Sequence, residues 1–438
     1  MFLFVPLWQY IEKSMRILIV NTSERTGGAA VAANRLMEAL KNNGVKAKML
    51  VRDKETASLT VCGLSSKWCT QWHFLWERFV IWLHLHFSRE HLFEIDIANC
   101  GTDITRLPEF QEADVIHLHW VNQGMLSLKN IRKILESGKP MVWTMHDMWP
   151  ATAICHLTLG CQSFVAGCSR CPLLPGGGSS HDLSTHVWHR KQQMLAGHRI
   201  SFVTCSQWLA DDARKSGLLK GQDVFCIPNP IDTRLYRPMD KLETRKTLGL
   251  PDEGKIILFA SQRVTNPNKG MAFLIDACRL LADSHPEMKE RISVAILGGH
   301  AEEITGQLPF RSFPLGYVSD QQRIIMVYNA CDVFVLPSLS ENLPNTIMES
   351  MACGVPSVGF RVGGIPEMID HQETGYVAEY RNAESLATGI KWALYEADLH
   401  RVREACLRKV AHNYSQQSVA LRYIEVYETA MKPKGMKR

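Results

Sequence analysis

No apolar run in this 438-residue chain approaches the about 20 residues that a membrane-spanning helix needs, so no transmembrane segment is expected. Charge of one sign is also scarce. The net charge is +5, and no dense Lys/Arg block appears before the short tail KPKGMKR. Nucleic acid is therefore not an expected partner. Weak attraction to an anionic membrane surface is compatible with this charge, so peripheral membrane association stays open. The opening stretch MFLFVPLWQYIEKSMRILIV lacks a leading positive charge and a small-residue cleavage site, which argues against a secretory signal. Residues 1–14 are read as an N-terminal extension, with Met15 as the alternative start. The rival reading is a short interfacial anchor built on Trp8 and Tyr10. Without a secretion signal, most of the thirteen cysteines are expected to be reduced and buried. A cytoplasmic location is expected, with the inner face of the membrane as a variant of it.

The composition, 46% hydrophobic and 21% charged, is that of a globular protein. The length implies two domains. MRILIVN is a continuous apolar run, as in a strand buried on both faces. A glycine-containing loop, a helix with Val31, Leu36 and Leu40 on one face, a stop at Gly44 and a second strand follow. That unit opens a doubly wound parallel sheet. The alternation of strand and helix continues to DVFCIPNPID, then restarts at KIILFASQRV. The fold class is therefore α/β, with two Rossmann-like domains. The boundaries are 1–14 for the extension, 15–232 and 233–414 for the domains, and 415–438 for a C-terminal helix that could pack back on the first. Residues 68–93 are unusually aromatic. Trp72, Leu75, Trp76, Phe79, Val80 and Leu83 mark an amphipathic helix, read as packing on the sheet; a surface for a membrane or lipid-linked substrate is the alternative.

Four places could carry chemistry. In PSLSENLPNTIMESMACGVPSVGF, a buried strand runs into a helix start, with Asn345 or Thr346 as cap. Strand carboxyl ends border the ligand crevice of open α/β sheets. A helix N-terminus there suits a phosphate, and Glu341 and Glu349 would accept from sugar hydroxyls. The plainer reading makes Glu341 a solvated loop residue and Glu349 a first-turn acid favoured by the helix dipole. In QRVTNPNKG, Arg263 and Lys269 follow the first strand of the second domain and could neutralise a diphosphate, or be solvated loop cations. Gly27 and Gly28 sit at the first strand-to-helix turn, where backbone can approach a ligand. The pattern is not G-x-G-x-x-G, which weighs against a dinucleotide. His146 and Asp147 end a buried strand of the first domain.

Cys155, Cys161, Cys168 and Cys171 crowd one loop with spacing C-x5-C-x6-C-x2-C. Structural zinc and free or redox-active thiols are both compatible with it.

In combination, RTGGAA, TMHD, IPNPID, QRVTNPNKG and SENLPNTIMESMACGVPSVGF resemble family 4 glycosyltransferases, over nearly the whole chain from Met15. The resemblance implies a retaining enzyme of the GT-B fold with an interdomain cleft. It would move a sugar from a nucleotide-sugar donor to a glycan or lipid-linked acceptor, in cell-surface polysaccharide biosynthesis. Arg263 and Lys269 would bind the donor diphosphate, Glu341 the sugar hydroxyls and Glu349 the ribose. Asn345 and Thr346 would sit at the phosphate-facing helix start. His146 would contact the sugar near the reacting centre, and Gly27 and Gly28 would form a loop beside the diphosphate. No metal or other cofactor would be required for catalysis, and no Asp-x-Asp motif is apparent; zinc on the four cysteines would only fasten a loop at the acceptor side. Two positions depart from the family pattern: Asn342 where Gly is common, and Pro230 in IPNPID. A nucleotide-sugar epimerase of like fold and a non-catalytic nucleotide-sugar binder are the rival functions.

Overall fold

The computed structural model describes residues 15–432. The readings of residues 1–14, and most of the basic tail, fall outside the described residues. The chain divides into two units. The first comprises the residues up to Cys205, Leu209–Ile227 and the residues from Val419; the second comprises Ser206–Trp208 and Pro228–Ser418.

The first unit is built on β1 (Arg16–Ser23), β2 (Lys46–Asp53), β3 (Val61–Gly63), β4 (Val115–Leu118), β5 (Met141–Met145), β6 (Ser201–Thr204) and β7 (Asp223–Cys226). They form one parallel sheet in the order β3-β2-β1-β4-β5-β6-β7. Ile17, Leu18, Ile19 and Val20 are all buried, as a strand covered on both faces requires. Helix α1 (Gly28–Asn42) lays Leu36, Met37 and Leu40 into the core. The last helix, Gln416–Met431, adds Val419, Tyr423 and Tyr427 to the same core. Its two tyrosines find buried polar partners. Tyr427 Oη lies 2.8 Å from His117 Nδ1, and Tyr423 Oη lies 3.0 Å from Thr144 Oγ1.

The second unit repeats the plan with β8 (Lys255–Arg263), β9 (Ile292–Gly299), β10 (Arg311–Gly316), β11 (Val333–Leu336), β12 (Ser357–Phe360) and β13 (Gly375–Ala378). The order is β10-β9-β8-β11-β12-β13, again all parallel. Strand order reverses between β1 and β4 in one sheet and between β8 and β11 in the other. Ligands of doubly wound sheets bind at the carboxyl ends of the strands at that point.

Three strands escape the sequence reading: β3, β10 and β13. All three are sheet edges. An edge strand needs no long apolar run, and β10 even contains Pro314, which an edge tolerates.

One expectation is overturned. Helix α2 (Lys67–His84) does not pack its aromatic face on the sheet. Thr70, Glu77, Arg78 and Ile81 are the buried residues, while Trp72, Leu75, Trp76, Phe79 and Leu83 are exposed. The reason is polar satisfaction on the inner side. Glu77 Oε1 accepts from the backbone N–H of Ile97 (3.0 Å) and Ala98 (2.6 Å). Arg78 pairs with buried Asp96 and donates to the carbonyls of Leu92 (2.6 Å) and Ile95 (3.1 Å). Buried charges supplied with partners are tolerated inside, even with Glu77 Oε2 and Arg78 Nε left without a hydrogen bond, and apolar periodicity alone does not register them.

Candidate functional site

In the second unit, the loop after β8 turns through Pro267–Lys269 and ends on Gly270. Gly270 has φ 72°, and a Cβ there would fall 1.8 Å from the Pro337 carbonyl oxygen. Only glycine lets this loop press on the exit of β11. Leu339 N–H donates to the Asn268 carbonyl at 2.8 Å and ties the two loops together. Lys269 is thereby carried to Glu341, and Nζ donates to Oε1 at 2.5 Å. Glu341 is positioned from its other side by Gly363, with φ 55° and room for no Cβ against the Glu341 carbonyl. Arg263 lies exposed at the end of β8, its Nε donating to Thr265 Oγ1 at 3.1 Å.

The helix Asn345–Ala352 starts directly after this loop. Its cap differs from expectation. Pro344 is the N-cap, no side chain caps the helix, and Asn345 and Thr346 are its first two residues. Pro344 has an extended backbone (φ −68°, ψ 116°), which its ring favours and which already turns the chain into the helix. Asn345 Oδ1 instead accepts from Asn229 Nδ2 at 3.0 Å. Glu349 is buried, and its Oε2 accepts from the hydroxyl of buried Tyr328 at 2.8 Å. The structure thus brings Lys269 and Glu341 into contact and seats Glu349 in the interior.

In the first unit, Gly27, Gly28, His146 and Asp147 line one cavity of about 540 Å³, together with Asp53 and Trp120. The cavity opens at the β1/β4 reversal, where doubly wound sheets bind ligands. Gly27 has φ 94° and open space around it. His146 Nε2 lies 2.9 Å from His119 Nδ1, and His146 Nδ1 lies 3.7 Å from Cys205 Sγ. Burial holds His146 down at about 4, so the ring is neutral at physiological pH. Asp147 accepts from Trp120 Nε1 (3.0 Å) and the Trp149 N–H (2.9 Å), and lies 2.7 Å from His156 Nδ1. Burial alone would raise Asp147, but the facing His156 and these hydrogen bonds hold it below the usual carboxylate range. Burial would likewise lower His156. Asp147 and Asp96 outweigh it and push the imidazole up to about 10. His156 Nε2 lies 2.6 Å from Asp96 Oδ2. An imidazolium clamped between two carboxylates therefore fixes Asp147 at the cavity wall.

A model of Glycosyltransferase Family 4 matches residues 26–235, and one of Glycosyl transferases group 1 matches residues 254–396. The chain belongs to this glycosyltransferase family. A glycosyltransferase of Methanocaldococcus jannaschii is 29% identical over 78% of this chain and 91% of its own. The N-acetyl-alpha-D-glucosaminyl L-malate synthase of Bacillus anthracis is 27% identical over 47% of this chain, and the match spans only 54% of that synthase. Among solved structures, a glycosyltransferase from Rickettsia africae aligns with TM-score 0.63 and 17% identity, covering 96% of this chain and all of its own. Anabaena HepE in complex with UDP aligns with TM-score 0.62 and 16% identity over 95% of this chain and 100% of its own. Identity this low shows the fold, which is GT-B.

For a glycosyltransferase of this family, the sequence reading passes over His119, Trp120 and His156. HLHW carried a signal: two histidines two residues apart on one strand face, at the end of β4. His156 had none, since its partners come from distant Asp96 and Asp147. The four loop cysteines are free thiols of intermediate exposure. Burial pushes Cys155 up, Cys168 up to about 12 and Cys171 up to about 11, with smaller upward contributions from neighbouring cysteines. Among the described residues, no three His, Cys, Asp or Glu side chains converge so as to hold a metal ion. The donor set has the chemistry for zinc, and the thiols lie close enough to raise one another.

Proposed function

We propose that this glycosyltransferase is a retaining enzyme that takes a sugar from a nucleotide-sugar donor and places it on a glycan or lipid-linked acceptor in cell-surface polysaccharide synthesis. The contact of Lys269 with Glu341 at the β8/β11 reversal, with Arg263 at the end of β8, carries the reading. Cations there meet the donor diphosphate, and the carboxylate beside them grips sugar hydroxyls. That one protein of the same fold, Anabaena HepE, was crystallised with UDP and with UDP-glucose supports a nucleotide sugar as donor.

In the proposed reaction, the bond from the anomeric carbon to the donor phosphate oxygen breaks. The acceptor hydroxyl oxygen bonds to that carbon on the same face, and its proton passes to the departing phosphate. Lys269 and Arg263 stabilise the charge that grows on the diphosphate, which is electrostatic catalysis by preorganised donors. Asn345 and Thr346 offer backbone N–H groups at the helix start. Glu349, which accepts from Tyr328, receives the ribose. In the first unit, Gly27 and Gly28 let a ligand approach the backbone, and His146 contacts the transferred sugar. Both ring nitrogens of His146 already have neighbours, which suits fixed hydrogen bonding better than the proton traffic of an epimerase.

No helix among the described residues is long and apolar enough to cross a membrane. The cysteine usage supports the cytoplasm as the place of action. Zinc on Cys155, Cys161, Cys168 and Cys171 stays part of the proposal only as a fastening of their loop. Less than about half an equivalent of zinc in the purified protein removes it.

The deciding test is a thermal-shift screen of nucleotide sugars, followed by transfer to an acceptor panel. A donor that raises the melting temperature and yields glycosylated product is expected. Interconversion of the donor without acceptor, or binding with no transfer to any acceptor, overturns the reading.

A further inference from the structure

Helix α2 is built inside out. Glu77 and Arg78 are buried and paired with inner partners, whereas one outward stripe is purely apolar. Trp68 is 87% exposed, Trp72 64%, Leu75 51%, Trp76 44%, Phe79 45% and Leu83 41%. Their spacing of three and four residues puts them on one face. The rings form a ladder. Trp72 and Trp76 have centroids 6.3 Å apart, Trp76 and Phe79 5.8 Å, and Phe79 and Trp82 6.2 Å. Phe87, 63% exposed, extends it edge-on against Trp82 at 4.8 Å. A contiguous aromatic surface of this kind on a water-facing helix marks an interaction site.

The flanks say what covers it. No acidic residue stands on the stripe, because Glu77 is turned inward. At the N-terminal end, Lys67, Lys54 and Arg52 line one groove of about 350 Å³ with Phe74, against the single carboxylate of Asp53. Asp53 is spent on Arg52, at 2.5 Å. Lys54 is anchored through the carbonyls of Ser58 (3.0 Å) and Val61 (2.7 Å), which keep its charge unneutralised. At the other end exposed Arg89 stands beside exposed Glu90 and Glu94, so the cationic flank is the N-terminal one. Tryptophan-rich apolar surface with a cationic end is the pattern of a helix lying in the headgroup layer of an anionic bilayer.

We propose that α2 docks this glycosyltransferase on an anionic membrane surface, with Trp68, Trp72, Trp76 and Phe79 entering the interface and Lys67 and Lys54 meeting lipid phosphates. The inference deepens the proposed function and rests on its lipid-linked acceptor, which gives such docking a use.

The test is flotation of the full chain with vesicles of phosphatidylcholine, with and without phosphatidylglycerol. The full chain should rise with anionic vesicles and much less with neutral ones. The triple substitution Trp72→Ser, Trp76→Ser, Phe79→Ser should stay at the bottom, with an unchanged melting temperature because all three residues are exposed. A chain starting at Met15 should still float. Three results overturn the proposal: no flotation of the full chain, flotation of the triple variant, or flotation lost with residues 1–14 instead. A dimer in sedimentation velocity that the triple variant converts to monomer also overturns it, since a second copy then covers the stripe. Thermal shift by nucleotide sugars on the same samples separates the two readings. Lost flotation with donor binding kept sinks the docking alone; flotation without donor binding sinks the transferase reading alone.

Discussion

The ledge at the β1/β4 reversal and the ledge at the β8/β11 reversal occupy equivalent places in two sheets of the same order, yet they are furnished in opposite ways. In the first unit the wall carries His146, Trp120 and several charged side chains, with His146 held neutral by burial and Asp147 already clamped by His156. In the second, Lys269 and Glu341 reach each other from two loops, and Arg263 stands exposed at the end of β8. Topology supplies the place for a ligand; the loops decide which. The first cavity mixes carboxylates (Asp53, Glu55, Asp147) and Arg52 with Trp120 and a neutral His146, whereas the second ledge presents loop cations. Doubling the same sheet gives one chain two chemically unlike ledges.

This contrast breaks first on charge removal. Lys269→Ala and Arg263→Ala should each lower turnover by about 10²–10³-fold, the usual loss for one preorganised donor to a developing anion. Each should also abolish or sharply reduce the thermal shift by nucleotide sugars. His146→Ala should cost only about tenfold in kcat, the worth of one hydrogen bond of roughly 1–1.5 kcal/mol, and leave the donor-induced shift intact. If His146→Ala instead removes donor binding, the division of labour between the units is wrong.

Glycines provide a finer version of the same comparison. Gly270 combines positive φ with a carbonyl 1.8 Å from any Cβ, while Gly27 has positive φ in open space. Gly27→Ala should cost about 1–3 kcal/mol of backbone strain and little else. Gly270→Ala must also push the Lys269 loop off the exit of β11. Its stability loss should exceed that of Gly27→Ala, and donor affinity should fall with it. Calorimetry and donor titration of the two variants rank them; equal stability losses with unchanged donor affinity would remove the argument for loop apposition.

Much of this was legible in the residues. Continuous apolar runs such as RILIV and DVFVL announce strands buried on both faces, and their restart after IPNPID announces the second sheet. Lys269 and Glu341 could be paired by motif, because each follows a strand that the order places at the reversal. What escaped had physical causes. Edge strands β3, β10 and β13 need no apolar run. The orientation of α2 depended on whether Glu77 and Arg78 could be satisfied inside, and their partners, Ile97, Ala98 and Asp96, come from a later loop. His156 gained its role only when the fold brought two distant aspartates to its two nitrogens.

The smallest effect separates the units by acid. In the first unit, burial, with a lesser push from His146, lowers His117 to about 3; His146 itself stands at about 4, and His119 is well below its ordinary value. Among the described residues of the second unit, no histidine is buried. The sign follows from proton counts. Unfolded histidines titrate near 6.5. Below that value the unfolded chain binds protons that these three folded histidines refuse, so the stability they contribute is full above about 6.5 and declines as pH falls toward 4; His156, raised to about 10, works the other way and loses its contribution as pH rises from about 6.5 to 10. Hydrogen exchange across the acid interval should show β4 and β5 losing protection before β8 and β11. Replacing buried His117 with Gln, which keeps a donor and an acceptor but carries no titrating group, should reduce the pH dependence of the first unit while leaving that of the second unchanged. Earlier loss of protection in β8 and β11 would mean that the loop ion pairs, and not the buried imidazoles, set the acid limit of the enzyme.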